Sequence, residues 1–183
     1  MKDTGVTRRI DELGRIVIPR EMRKTLRIRV GDPLEFYSDA EKIIIKKYSP
    51  LASLENGAKA VAQAITETTK KPCVIVDRQK VICATDTDNK DCELIGSDIS
   101  SELENALLEN ISMVLSGADG GSVLPITSAC QVQMENQVIV PISFEGDIYG
   151  AVILFDNDLE YRFSNKELDL VKLGANLLAK QFE

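Results

Sequence analysis

Between residues 5 and 48, apolar and polar positions alternate over short runs, the two-residue period of half-buried β-strands. "GVTRRI" places Val6, Arg8 and Ile10 on one side and Thr7 and Arg9 on the other. "DELG" reads as a turn ending in glycine, and "RIVI" is a β-branched run suited to a strand. Pro19 fits the first turn of a short helix, "PREMRKTL", because a proline there forfeits no helical hydrogen bond. "LEFYS" and "KIIIKKY" read as a hairpin around "DAE". The predicted order is strand, strand, short helix, strand, strand.

After Ser49-Pro50 the rhythm changes. Leu51, Leu54, Ala58, Val61 and Ile65 follow a 3, 4, 3, 4 spacing, one face of a helix over 51–70. "CVIVD" and "KVICA" predict two strands, and Leu103, Leu107, Ile111 and Val114 predict a helix from Ser101 to Leu115. "CQVQM", "QVIVPISF" and "DIYGAVILF" predict three more strands, with Pro141 marking a bulge or an edge. A final helix runs from Ser164 to Phe182, opened by a Ser164/Glu167 capping box. Leu168, Val171, Ala175, Leu178 and Phe182 form one apolar face, and Leu170, Leu173 and Leu177 a second. A helix with two apolar faces can cover its own sheet and also meet a partner. Association between copies is therefore expected through helices 51–70 and 164–182.

The change of rhythm divides the chain into residues 1–50 and 51–183. The first segment is too short for a comfortable core of its own. Ile16-Val17-Ile18 and Ile43-Ile44-Ile45 have no large apolar partner within it, so a dimer with a shared core is expected.

Charge sharpens the division. Residues 1–48 hold 12 Lys+Arg and 8 Asp+Glu, whereas residues 49–183 hold 10 and 21, within a chain of net charge −7. The basic residues concentrate in "RRIDELGRIVIPREMRKTLRIR", as seven arginines and one lysine. Arginine favours planar, two-pronged recognition of phosphates and guanine edges. An acidic protein needs no basic patch for solubility, so the segment points to nucleic acid. Pro19 and the β-branched run leave room for only one short helix, a poor fit to a helix-turn-helix.

Other chemistries recede. The chain lacks histidine, which removes His-based triads, bases and metal ligands. Its four cysteines form no C-x-x-C pair and read as reduced thiols of a cytoplasmic protein. No apolar run approaches the roughly 18 residues of a membrane span, and the N-terminus lacks a signal-peptide core. "DTDNKD" has Lys90 at position five and Ser97 at position twelve, which breaks the calcium-loop pattern. No cofactor, metal or catalytic residue is expected.

"TGVTRRIDELGRIVIPREMRKTLRIRVGDPLEFYSDAEKIIIKKYSP" resembles, over its whole length, the N-terminal DNA-binding domain of the AbrB-like transition-state regulators. With the second domain after "KKYSP", the chain resembles the two-domain sporulation regulators of endospore-forming bacteria. The resemblance implies a swapped-hairpin β-barrel, in which two chains interleave hairpins on double-stranded promoter DNA. The family's DNA-facing basic residues match Arg8, Arg15, Arg23 and Lys24, with Arg9 and Arg20 nearby and Arg27 and Arg29 as secondary candidates. Asp11 and Glu12 at the turn are expected to orient or screen the arginines, and Gly5, Gly14, Pro19 and Gly31 to be structural. From about residue 55 the resemblance implies a GAF-type α+β domain with an antiparallel sheet flanked by helices, "GDIYGAVILFD" being its penultimate strand. Together these imply a non-enzymatic transcription regulator of sporulation genes, an activator or a repressor, tetrameric, in the forespore cytoplasm.

From Asp91 to Tyr161 there is no lysine or arginine, against 13 Asp+Glu, so any GAF ligand is expected to be a small neutral or cationic molecule. Two alternatives remain. Cys83 and Cys92 flank a polar loop and are candidates for a redox pair in a GAF-fold reductase. Related N-terminal barrels also occur in antitoxins, which follow the barrel with a short disordered tail, unlike the patterned sequence here.

Overall fold

A computed structural model of the protein describes residues 5–85, 94–119, 122–128 and 132–182. The chain divides into two compact units, Met1–Tyr48 and Ser49–Glu183.

In the first unit, α1 spans Arg20–Thr25, and β1 (Leu34–Asp39) pairs antiparallel with β2 (Lys42–Lys47). The register sets Phe36 opposite Ile45 and Ser38 opposite Ile43. One face of this ribbon therefore carries Leu34, Phe36, Ile43 and Ile45. The other carries Glu35, Tyr37, Ile44 and Lys46, where the Tyr37 hydroxyl donates to Glu35 (2.6 Å) and the Lys46 ammonium lies 4.9 Å from the Tyr37 ring centroid. The apolar face is uncovered, with Phe36 66% exposed. No residue from 5 to 48 is buried.

The two strands expected in "GVTRRI" and "RIVI" are absent from the single chain; residues 5–19 hold only a turn at 12–14. Backbone becomes a strand only where its N–H and C=O groups meet a neighbouring strand. β1 and β2 pair with each other, and no further strand lies among the described residues of this unit.

The second unit begins with α2 (Pro50–Ser53) and α3 (Glu55–Thr69), which lead into β3 (Cys73–Asp77) and β4 (Val81–Thr85). It continues through α4 (Ser101–Leu108), β5 (Met113–Ser116), β6 (Asn136–Phe144), β7 (Asp147–Asp156) and α5 (Asn165–Ala179). The sheet order is β4-β3-β7-β6-β5, antiparallel throughout. Alternate residues feed two cores. Cys73, Ile75, Val138, Val140, Val152 and Leu154 pack with Leu51, Ala58, Ile65, Val171 and Leu178 from the helices. Val74, Val76, Ile139, Ala151 and Ile153 pack on the opposite face with Leu103, Leu107, Ile99 and Ile126. Both faces of β7 are covered, which explains the unbroken apolar run "GAVILF".

Two glycines fix close approaches. A Cβ on Gly150 would overlap the Val76 carbonyl oxygen and lie 2.6 Å from Leu51 Cδ1. A Cβ on Gly174 would lie 2.9 Å from both Val61 Cγ1 and Ile65 Cδ1, where α5 crosses α3.

Two sequence expectations need correction. The helix expected over 101–115 stops at Leu108, because Asn110 adopts a left-handed conformation (φ 52°) and its N–H bonds back to Leu107 O (3.0 Å). Met113–Ser116 is instead the edge strand β5, so Ile111 and Val114 do not continue the buried face of Leu103 and Leu107. Of the strand expected in "CQVQM", residues 132–134 are not in a strand, and Cys130 and Gln131 lie outside the described residues. Pro141 pairs with Ala151 of β7, beyond the end of β5, and the register shifts between Ile142 and Ser143. It is therefore both at an edge and beside a bulge.

Candidate nucleic-acid interface

The basic residues sit on two pieces of the first unit. Arg8 and Arg9 precede the turn, Arg15 follows it, and Arg20, Arg23 and Lys24 lie on α1. Spacings of three and four put the last three on one side of the helix. All six are exposed. Among the described residues, the side chains of Arg9, Arg20, Arg23 and Lys24 have no hydrogen-bond or ion-pair partner, and Arg8 Nη1 reaches only Thr7 O at 3.4 Å.

The turn is organised by one carboxylate. Asp11 Oδ1 accepts from the N–H groups of Leu13 (3.0 Å) and Arg15 (2.8 Å). Oδ2 accepts from Arg15 Nε at 2.7 Å. The main chain closes around it, with Asp11 N–H donating to Arg15 O (3.1 Å) and Gly14 N–H to Asp11 O (3.0 Å). Gly14 adopts φ 77°, which a side chain would strain. The Arg15 amide, then its guanidinium, hold the Asp11 carboxyl below its ordinary value of 3.8. Glu12 has no such partner among the described residues.

Pro19 is the N-cap residue just before helix α1, one position earlier than the first-turn place expected. The helix ends in a Schellman arrangement: Ile28 N–H bonds to Arg23 O (2.7 Å), and Arg27 N–H to Lys24 O (3.1 Å). Arg27 occupies the left-handed position with φ 50°, where glycine is usual. The next turn is tied to β2 in a way the sequence did not reveal. Asp32 Oδ2 accepts from Arg29 N–H (2.8 Å) and pairs with Lys47 Nζ (3.3 Å), while Lys47 also donates to Arg27 O. Arg27 and Arg29 thus contribute backbone groups to a structural clasp.

In the second unit, Cys73 and Cys83 are buried. Burial pushes the Cys73 thiol well up, which suppresses the nucleophilic thiolate. Cys92 and the "DTDNKD" loop lie outside the described residues. Among those described, no three Cys, Asp or Glu side chains converge as metal ligands.

Comparison with known proteins defines the class. Residues 7–52 match the family "Antidote-toxin recognition MazE, bacterial antitoxin". Bacillus subtilis transition state regulatory protein AbrB is 62% identical over 50 residues, 27% of this chain and 52% of that protein. The second unit has the GAF-like α+β fold. The type II free methionine-R-sulfoxide reductase of Thermoplasma acidophilum aligns with TM-score 0.55 at 16% identity, over 71% of this chain and 93% of that one. The GAF-B domain of DevS from Mycobacterium smegmatis aligns with TM-score 0.50 at 10% identity, over 68% and 89%. These describe a transcription regulator with an AbrB-like N-terminal segment and a GAF-like second domain.

Residues 53–183 match the family described as "Stage V sporulation protein T C-terminal, transcription factor". Bacillus subtilis stage V sporulation protein T is 37% identical over 184 residues, 100% of this chain and 99% of that protein. The chain belongs to the stage V sporulation protein T family. It is a transcription factor and not an enzyme, and the likeness to the reductase is one of fold alone.

Proposed function

We propose that two copies interleave residues 1–50 into a basic swapped-hairpin β-barrel that binds promoter DNA of sporulation genes. One observation carries this reading: residues 5–48 include thirteen exposed large apolar side chains and no buried residue. An isolated two-stranded ribbon is marginal in water. A second chain would give residues 5–19 a strand to pair with and would cover Leu34, Phe36, Ile43 and Ile45. The same assembly would bring two sets of Arg8, Arg9, Arg15, Arg20, Arg23 and Lys24 to one duplex. DNA recognition by the AbrB relative supports this role.

Residues 51–183 are the assembly and sensing domain in this reading. Leu173 and Leu177 on α5 are 56% and 50% exposed, and pairing through them would join two dimers into a tetramer. A small neutral or cationic ligand acting on this domain would suit its acidic stretch. The site of action is the cytoplasm, where promoter DNA lies; no described helix is long and apolar enough to cross a membrane. The antitoxin alternative calls for a short tail after the barrel, whereas Ser49–Glu183 is a folded unit with its own core.

The test is fluorescence anisotropy of the full chain on promoter duplexes across a salt series. Log affinity is expected to fall linearly with log salt, and Arg15→Ala to cost about 1–3 kcal/mol if that side chain reads a base. A flat salt response would refute the proposal. Sedimentation of the free protein reports dimer against tetramer.

A further inference from the structure

We propose that Asp11 is a positioning residue for DNA reading. It fixes the Arg15 guanidinium by Nε and leaves the edge between the two Nη nitrogens to grip a guanine. The inference rests on the assignment of residues 5–48 to DNA binding.

Arg15 differs from the other basic residues of its unit. One carboxylate holds both ends of it, the main-chain N–H at 2.8 Å and the side-chain Nε at 2.7 Å. The side chain is therefore looped back and held, yet remains 71% exposed. Among the described residues, neither Nη has a partner. The Nη edge can donate two parallel hydrogen bonds, which match O6 and N7 of guanine in the major groove. Holding a long side chain in place beforehand removes an ordering cost worth roughly twofold to tenfold in affinity. Arg9, Arg20, Arg23 and Lys24 lack this restraint and suit phosphate contacts, which tolerate mobile charges.

The sign of the charge makes the assignment testable. A carboxylate on a DNA-facing surface repels phosphate, so charge alone would make Asp11 a liability for any duplex. Glu12 carries the same charge one residue away without the clasp. If Asp11 positions Arg15, removing its charge should harm specific binding and help non-specific binding together.

The experiment uses the full chain with two probes: a duplex enriched from a random pool by the wild-type protein, and a shuffled duplex of the same composition. Asp11→Asn keeps an acceptor for the two turn amides and removes the anionic acceptor for Nε. Affinity for the enriched duplex is expected to fall roughly three- to tenfold, while affinity for the shuffled duplex rises. Glu12→Gln is expected to raise both. In an Arg15→Ala background, Asp11→Asn is expected to lose its effect on the enriched duplex.

Asp11→Asn raising both affinities, as Glu12→Gln does, would reduce Asp11 to a screening charge and overturn the proposal. So would a loss that persists without Arg15. A fall on both duplexes, with amide protection lost over residues 11–15, would assign Asp11 to folding only. If Arg15→Ala itself changes neither affinity, it is the DNA-binding assignment of Arg15 that fails.

Discussion

The two units of this chain solve opposite problems with similar residues. Ser49–Glu183 covers both faces of a five-stranded sheet, and its isoleucines at 75, 139, 142 and 153 are fully buried. Residues 5–48 present Ile16, Ile43 and Phe36 to solvent at 51%, 69% and 66% exposure. Burying apolar surface is the main favourable term in folding. One unit obtains it within the chain, and the other lacks a partner for its apolar face. The comparison separates stability that belongs to a fold from stability that belongs to an assembly. Substitutions can act on either half of that distinction.

The largest effect is expected at Gly150. A Cβ there would collide with the Val76 carbonyl oxygen and lie 2.9 Å from Asp77 Cα, both backbone of β3. Backbone in the middle of a paired sheet cannot move aside cheaply. Gly150→Ala is expected to destabilise the second unit by about 4 kcal/mol or more, read as a lower urea midpoint. Hydrogen exchange should show protection lost over residues 136–156 and kept over 34–47.

Phe36→Asp inverts that pattern. On a lone chain this is a surface change worth about ±0.5 kcal/mol. In a shared core it buries an unpaired carboxylate and is expected to cost several kcal/mol. Amides of residues 34–47 should lose protection and the promoter complex should disappear, while residues 136–156 stay protected. Unchanged protection over 34–47 would mean that the apolar face of the ribbon needs no partner, and the contrast between the units would collapse.

What the sequence disclosed follows the same line. The helix over 164–182, the capping box at Ser164 and the strands flanking "EG" were legible because periodicity and caps are local. The single helix expected over 51–70 is instead broken at Leu54 into α2 and α3, a turn that the 3, 4 apolar spacing runs straight through. Helix α4 was overextended because Ile111 and Val114 continue its spacing by coincidence; the left-handed turn at Asn110 that separates them leaves no mark on hydrophobic periodicity. The strands in "GVTRRI" and "RIVI" were read from alternation, but a strand also needs a neighbour, and one chain does not supply it. The basic residues of the candidate site were visible as charge. An acid at the turn that orients or screens the arginines was expected of both Asp11 and Glu12, and the structure gives the clasp on Arg15 to Asp11. The Asp32–Lys47 pair was not visible at all, because it joins positions far apart in sequence.

Contacts of that distant kind also sharpen the account of the self-sufficient unit. Gln137 is fully buried, yet its Oε1 accepts from Leu124 N–H (3.0 Å) and its Nε2 donates to Leu124 O (3.1 Å). One side chain thus takes the place of a neighbouring strand for the segment at Leu124, which packs against the core of Leu103, Leu107 and Ile139. Gln137→Leu leaves both backbone groups of Leu124 without these partners, at an expected cost of about 2–3 kcal/mol. Thermal unfolding of the full chain should show the loss in the transition of the second unit. A neutral result would mean that water satisfies Leu124 as well as Gln137 does.

The smallest expected effect has the opposite sign and belongs to the other unit. Arg27 closes helix α1 from a left-handed conformation, φ 50°, where a β-carbon costs about 1–2 kcal/mol. Glycine removes that strain but gains about 0.5–1 kcal/mol of backbone freedom in the unfolded chain. Arg27→Gly is therefore expected to stabilise the first unit by roughly 0.5 kcal/mol. Both Schellman hydrogen bonds and the Lys47 contact involve only the backbone at this position, so all survive the change. If the side chain of Arg27 is not a DNA contact, specific affinity should stay level while protection over α1 rises. A parallel fall on every duplex, with a shallower salt dependence, would instead add Arg27 to the phosphate-binding set.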